Sequence, residues 1–239
     1  LLASGSADTT IRLWNPHTGQ HLRTLTGHQG WVNSVAFTTD GQLLATGSAD
    51  TTIRLWNPHT GQHLRTLTGH QGWVNSVAFT TDGQLLATAS ADTTIRLWNP
   101  HTGQHLRTLT GHKCPVTSVA AADTTIVTTG HDTSVIAWNI TGERLMTGHH
   151  QRHVWMATIT PDGVLAATIG ADNTLRVWDT HSAHPSTTIR LPDVGTACDL
   201  APLDHQRVLL ATASRDGGIE LRALRTNTPT QSPIPVRNR

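Results

Sequence analysis

The sequence predicts an all-β protein built from repeated four-stranded antiparallel sheets. Three observations carry this. Residues 1–42 and 43–84 are identical except for Ser4 against Thr46, and residues 85–112 repeat 43–70 except for Ala89 against Gly47. Trp14, Trp56 and Trp98 therefore recur at one fixed interval, and Trp138 and Trp178 continue the series in diverged copies. No helical period runs anywhere, whereas each unit breaks into short alternating runs closed by turn residues. A sixth copy at 208–223 has Arg222 where tryptophan is expected.

Within one unit the strands follow in order. Residues 31–37 (WVNSVAF) are β-branched and apolar, and they run toward Asp40-Gly41, a strong hairpin pair. Residues 43–48 (LLATGS) make the second strand, closed by Ala49-Asp50. Residues 51–57 (TTIRLWN) alternate and stop at Pro58, which has no N–H to give a central ladder. Residues 63–68 (HLRTLT) make the fourth strand, and Gly69-His70 leads to the next unit. One such sheet cannot cover both of its own faces. Radial stacking lets neighbours cover each other, so the expected architecture is a β-propeller rather than a β-sandwich, which would not require near-copies of one unit. Six blades are expected, the first and last incomplete, in units of about 1–25, 31–68, 73–110, 115–147, 153–191 and 195–225. Residues 226–239, with Pro229, Pro233 and Pro235, read as a tail that is a short strand or disordered.

Composition narrows the function classes. Hydrophobic residues make up 36% of the chain, and no run of about 18 of them exists to span a bilayer. The net charge of +1 argues against a dedicated nucleic-acid binder or a binder of anionic membranes. Two cysteines, Cys114 and Cys198, cannot make a disulfide framework and suit a reducing compartment, although one bridge between them is open. No secretion signal opens the chain, so a cytoplasmic protein is expected.

The Gly-His pair, the Asp-Gly turn, the Ser-x-Asp turn and the Trp-Asn or Trp-Asp end together resemble the WD-repeat β-propellers, from residue 1 to about 225. The literal Trp-Asp pair occurs once, at Trp178-Asp179. The resemblance implies a ring most often of seven blades. Since the chain opens in mid-unit at Leu1, the expectation is a piece of a longer protein, about one blade short, with exposed sheet edges through which it self-associates. The resemblance also implies a buried chain from Trp to Ser to His to Asp. In the second blade that set is His28, Ser48, Asp50 and Trp56; in the third it is His70, Ser90, Asp92 and Trp98. Gly130 and Gly170 stand at the serine position of the fourth and fifth units, so a missing link is expected there. The top face, where the Ser-x-Asp turns and the loops after Gly-His meet, is the implied partner-binding face. Its candidate residues are Gln29, Trp31, Gln71, Trp73, Lys113, His131, His153 and Arg215; Trp155 aligns with Asn33 rather than with Trp31. The implied function is a non-enzymatic protein-interaction scaffold taking a protein or peptide partner. Near-identical repeats and the high ratio of arginine to lysine resemble the sensor regions of larger bacterial signalling proteins.

Other chemistries fit less well. Ser, His and Asp are the ingredients of a hydrolytic triad, but here they recur blade after blade, and no G-x-S-x-G elbow surrounds the serines. His17/His21, His59/His63 and His101/His105 have H-x₃-H spacing, yet zinc needs three or four converging ligands. Arg12, Arg54 and Arg96, with Arg23, Arg65 and Arg107, suggest a band around the outer wall, a weak nucleic-acid signal on a near-neutral chain. No glycine-rich phosphate loop is present, and no cofactor is expected. A propeller enzyme or a nucleic-acid surface is the alternative reading.

Overall fold

The computed structural model describes residues 1–191, 195–204, 207–214 and 218–225. Every element among them is a strand, and the strands form six separate antiparallel sheets whose neighbours follow chain order. The second sheet shows the plan: Val32–Phe37, Leu44–Ser48, Ile53–Trp56 and His63–Leu67. The first sheet has three strands, Leu2–Gly5, Ile11–Trp14 and His21–Leu25, and the last has three, Gly195–Asp204, Arg207–Ser214 and Ile219–Arg225. The tail expected at 226–239 lies outside the described residues.

The core is divided among the boundaries between sheets. Ile11, Leu13 and Leu25 of the first blade pack on Val32, Leu44 and Trp56 of the second. Comparable clusters join the second blade to the third, the third to the fourth, the fourth to the fifth and the fifth to the sixth. Among the described residues no such cluster joins the sixth blade to the first. Burying a Leu or Ile side chain contributes about 1.5–3 kcal/mol, which makes each boundary a separate stabilising unit.

Each inner strand carries a β-bulge near its start, at Val32/Ser34 in the second blade and at Val154/Met156 in the fifth. The bulge turns one side chain toward the neighbouring blade. Asn33 donates to the Val74 carbonyl at 3.1 Å, Asn75 to that of Val116 at 2.8 Å, and Thr117 to that of Val154 at 2.6 Å. These bonds seat adjacent inner strands in register.

Candidate protein-interaction face

The turn between second and third strands is built around an aspartate. Asp50 accepts hydrogen bonds from the Thr52 N–H (2.9 Å), the Thr52 hydroxyl (2.7 Å), the Gln29 N–H (2.9 Å) and His28 Nδ1 (2.8 Å). This closure holds Thr51 at φ 71°, a left-handed conformation that costs a β-branched residue about 1–3 kcal/mol. The Ala49 N–H donates to the Trp31 carbonyl at 2.8 Å, so the turn and the loop entering the inner strand lie at one end of the blade.

The buried chain runs through a different hydroxyl from the one expected. Trp56 Nε1 donates to Thr46 Oγ1 at 3.0 Å, and Thr46 Oγ1 lies 2.8 Å from His28 Nε2. Ser48 instead donates to the Gly30 carbonyl at 3.0 Å and accepts the Asp50 N–H at 3.1 Å. Thr88 takes the same place beside Trp98 and His70, and Ser90 bonds the Gly72 carbonyl. The physical reason is reach. Thr46 and Ser48 are two residues apart on one face of the strand, and Trp56 pairs with Leu44, which brings its indole over Thr46. Gly130 and Gly170 therefore break nothing. Trp138, Thr128, His112 and Asp132 form a complete chain in the fourth blade, as do Trp178, Thr168, His150 and Asp172 in the fifth. At both positions a Cβ would sit within 3 Å of the histidine ring, which leaves room only for glycine. In the first blade Trp14 donates to Ser4 at 3.0 Å.

Electrostatics fixes the proton positions. Burial pushes Asp50 up, but its hydrogen bonds from Thr52, Gln29 and His28 outweigh this and hold it at about 2. The resulting carboxylate only accepts, so His28 Nδ1 must carry the proton. Burial lowers the His28 pKa against the opposing pull of Asp50, which keeps the ring neutral. Nε2 is then an acceptor, matched by the Thr46 hydroxyl, and every donor in the chain has an acceptor.

Beyond these turns lies an exposed aromatic surface. Trp31 and Trp73 are 56% and 54% exposed, and their rings meet at 6.3 Å across the blade boundary. Gln29, Gln71 and Lys113 follow the histidines and are exposed. His131 and His153 stand together with ring centres 4.9 Å apart, and Trp155 joins them. The alignment of Trp155 with Asn33 gave no hint of this meeting; only the bulge brings the ring there. Arg215 lies outside the described residues.

Residues 1–151 match the family model described as TEP-1 second beta-propeller, and residues 142–179 match the model described as WD domain, G-beta repeat. The chain belongs to the WD-repeat β-propellers. A nuclear distribution protein PAC1 from Mycosarcoma maydis is 51% identical over 41 residues, which is 17% of this chain and 9% of that protein. Eukaryotic translation initiation factor 3 subunit I from Coccidioides immitis is 39% identical over 88 residues, 36% of this chain and 26% of that protein. The matched region thus spans about a quarter or less of the curated relatives, and both are eukaryotic proteins. Two solved structures, described as the structure of U3-55K and the crystal structure of RRP9 WD40 repeats, each superpose with a TM-score of 0.84 at 25% identity. Each covers 92% of this chain, which in turn covers 72% and 71% of them.

Other features of this WD-repeat propeller depart from expectation. Arg54 and Arg96 do not band the outer wall. Each guanidinium fills the space beside a glycine of the Gly-His pair, Gly27 or Gly69, and each buried Nε has no hydrogen-bond partner. Arg23 is exposed but reaches the next blade, where it donates to the His59 carbonyl at 3.3 Å and packs on Gly61. Of the H-x₃-H pairs, His21, His63 and His105 sit edge-on to Trp14, Trp56 and Trp98. Among the described residues no three His, Cys, Asp or Glu side chains are placed to hold a metal. Cys114 and Cys198 are both free thiols, and burial pushes Cys198 up to about 12. No helix among the described residues is long and apolar enough to cross a membrane.

Proposed function

We propose that this WD-repeat propeller is a non-enzymatic interaction scaffold whose protein or peptide partner docks on the turn end of the blades. The family as a whole supports a scaffold role. The observation that carries the choice of face is the pair Trp31 and Trp73. Two tryptophans more than half exposed, on turns whose backbone is locked from below, offer rigid apolar area at low ordering cost. The finer reading, a sensor region of a larger bacterial signalling protein in the cytoplasm, rests on the near-identical repeats and the single lysine.

The test is affinity capture followed by substitution. Trp31→Ala and Trp73→Ala are expected to weaken a captured partner at least tenfold, as loss of an interface anchor of about 2 kcal/mol does. Arg23→Ala, on the outer wall, leaves it bound. The reverse pattern moves the site to the rim.

A further inference from the structure

Three aligned positions on the turn end change residue type in the fourth and fifth blades, and the three changes meet. Ala49 and Ala91 give way to His131, Trp31 and Trp73 to His153, and Asn33 and Asn75 to Trp155. His131 lies 4.9 Å from His153 and stands edge-on to Trp155 at 5.6 Å, while His153 and Trp155 are 6.1 Å apart. His153 Nδ1 is 2.7 Å from the His131 carbonyl, which can only accept, so that nitrogen carries a proton.

Trp155 is the bulge residue of its inner strand. In the three preceding blades the residue at that place, Asn33, Asn75 or Thr117, bonds the next inner strand. Here the ring remains 41% exposed beside two imidazoles. The fold has given up a seating bond to present an indole.

Two cations flank it along the chain, and the acid that acts on His131, Asp132, is already hydrogen-bonded. Lys113, the chain's single lysine, is fixed to this corner by its N–H, which donates to Asp132 at 2.7 Å. Arg152 immediately precedes His153, and both cations are exposed. The acids of these two turns are already engaged. Asp132 takes His112, the Lys113 N–H and Ser134; Asp172 takes His150, the Gln151 N–H, Thr174 and Arg176. The groups that act on His131 are His153 and Asp132, while Lys113 and Arg152 flank the cluster along the chain, beside His112 and His153. Burial, helped by His153 and opposed by Asp132, lowers the His131 pKa and so favours the neutral ring.

We propose that this corner is a pH-dependent site for an acidic peptide, with carboxylates held by Lys113, Arg152 and the imidazole pair and an apolar side chain laid on Trp155. This rests on the reading of the turn end as the partner face. Two fixed cations on a chain of net charge +1 suit a short acidic segment better than a polyphosphate backbone, which needs many.

Peptide-display selection on the whole chain at about pH 6 tests it. Enriched peptides are expected to carry clustered Asp or Glu and to bind about fivefold more weakly near pH 8, the effect between these pH values of a one-unit rise in one histidine on binding. Lys113→Gln and Arg152→Gln weaken them at both pH values; His131→Gln with His153→Gln removes the pH dependence. Carbodiimide coupling of a selected peptide with a blocked amino terminus reports contact at Lys113, the single lysine of the sequence. No enrichment, enrichment without acids, or acidic peptides indifferent to pH and to these four variants overturn the proposal. Binders lost in Trp31→Ala and Trp73→Ala but kept in the histidine variants overturn it and leave the partner face standing, whereas binders lost in neither overturn both. Binding of oligouridylate, abolished by the same variants in the absence of any acidic-peptide binding, reassigns the corner to single-stranded nucleic acid.

Discussion

Replacing Thr46 with valine keeps the shape of the side chain and removes the hydroxyl that joins Trp56 to His28. Both partners are almost wholly buried and Thr46 itself is completely so, which denies a replacement water to either. Two groups lose their partners, the indole N–H at 3.0 Å and His28 Nε2 at 2.8 Å. Each orphaned buried group costs about 1–3 kcal/mol, so Thr46→Val is expected to destabilise by about 2–6 kcal/mol. Ser48→Ala removes bonds to the backbone of Gly30 and Asp50 only, and its cost is expected near 1 kcal/mol. Thr128→Val in the fourth blade, where glycine holds the serine position, should cost as much as Thr46→Val because the same two bonds are lost. Urea titrations of the three variants followed by tryptophan fluorescence measure the differences. A loss for Ser48→Ala equal to or above that for Thr46→Val, or a negligible loss for Thr128→Val, refutes the assignment of the hydroxyl.

Stability should fall with acid in two stages. His28, His70, His112 and His150 are lowered from 6.5 in the fold, so the unfolded chain binds more protons and their contribution, full above 6.5, is lost as pH falls below it. Asp50, Asp92 and Asp172, lowered from 3.8 to about 2, add a second loss between those values; unfolding free energy that is flat from neutral pH to about 5 contradicts the buried neutral histidines. Strand Leu2–Gly5 is an edge of its three-stranded sheet, paired on one side only, and Ile219 and Leu221 on the sixth sheet are exposed, so the chain is expected to self-associate; light scattering that shows a monomer across a wide concentration range contradicts this.

The strands were legible because turn residues bracket them. Asp40-Gly41 and Pro58 mark ends that the structure places within a few residues, and the alternation of Ile53, Arg54 and Leu55 matches their burial. The choice between Thr46 and Ser48 was not legible in one unit, since both hydroxyls lie on the same strand face. Comparing the units held the signal: Ser4, Thr46, Thr88, Thr128, Thr168 and Thr212 keep a hydroxyl at the first position, whereas Gly130 and Gly170 abandon the second. A group needed by two buried side chains is retained, and one that bonds only the backbone of the loop and turn is lost when the loop changes. That loop does change, from Gly30 and Gly72 to Cys114 and Arg152, in the same two blades that lack the serine. The meeting of His131, His153 and Trp155 was beyond sequence reasoning, because it depends on a bulge and on a contact between blades.

These substitutions separate what holds the turn from what the turn displays. In blades two to five the threonine, histidine, aspartate and tryptophan stay fixed, and the aspartate binds backbone N–H groups whose side chains are free to differ. The residue donating that N–H is Gln29, Gln71, Lys113 or Gln151, and the bond is 2.7 to 2.9 Å in every case. Because the bond uses no side-chain atom of the donor, a lysine can replace a glutamine with no loss to the turn. The neighbouring positions likewise accept Trp, Pro or His before the inner strand and Ala or His within the turn. In these four blades the turn is thus held by atoms common to each. The side chains that vary are those the turn leaves outward, so a face assembled from identical scaffolds can carry a different chemistry on each blade.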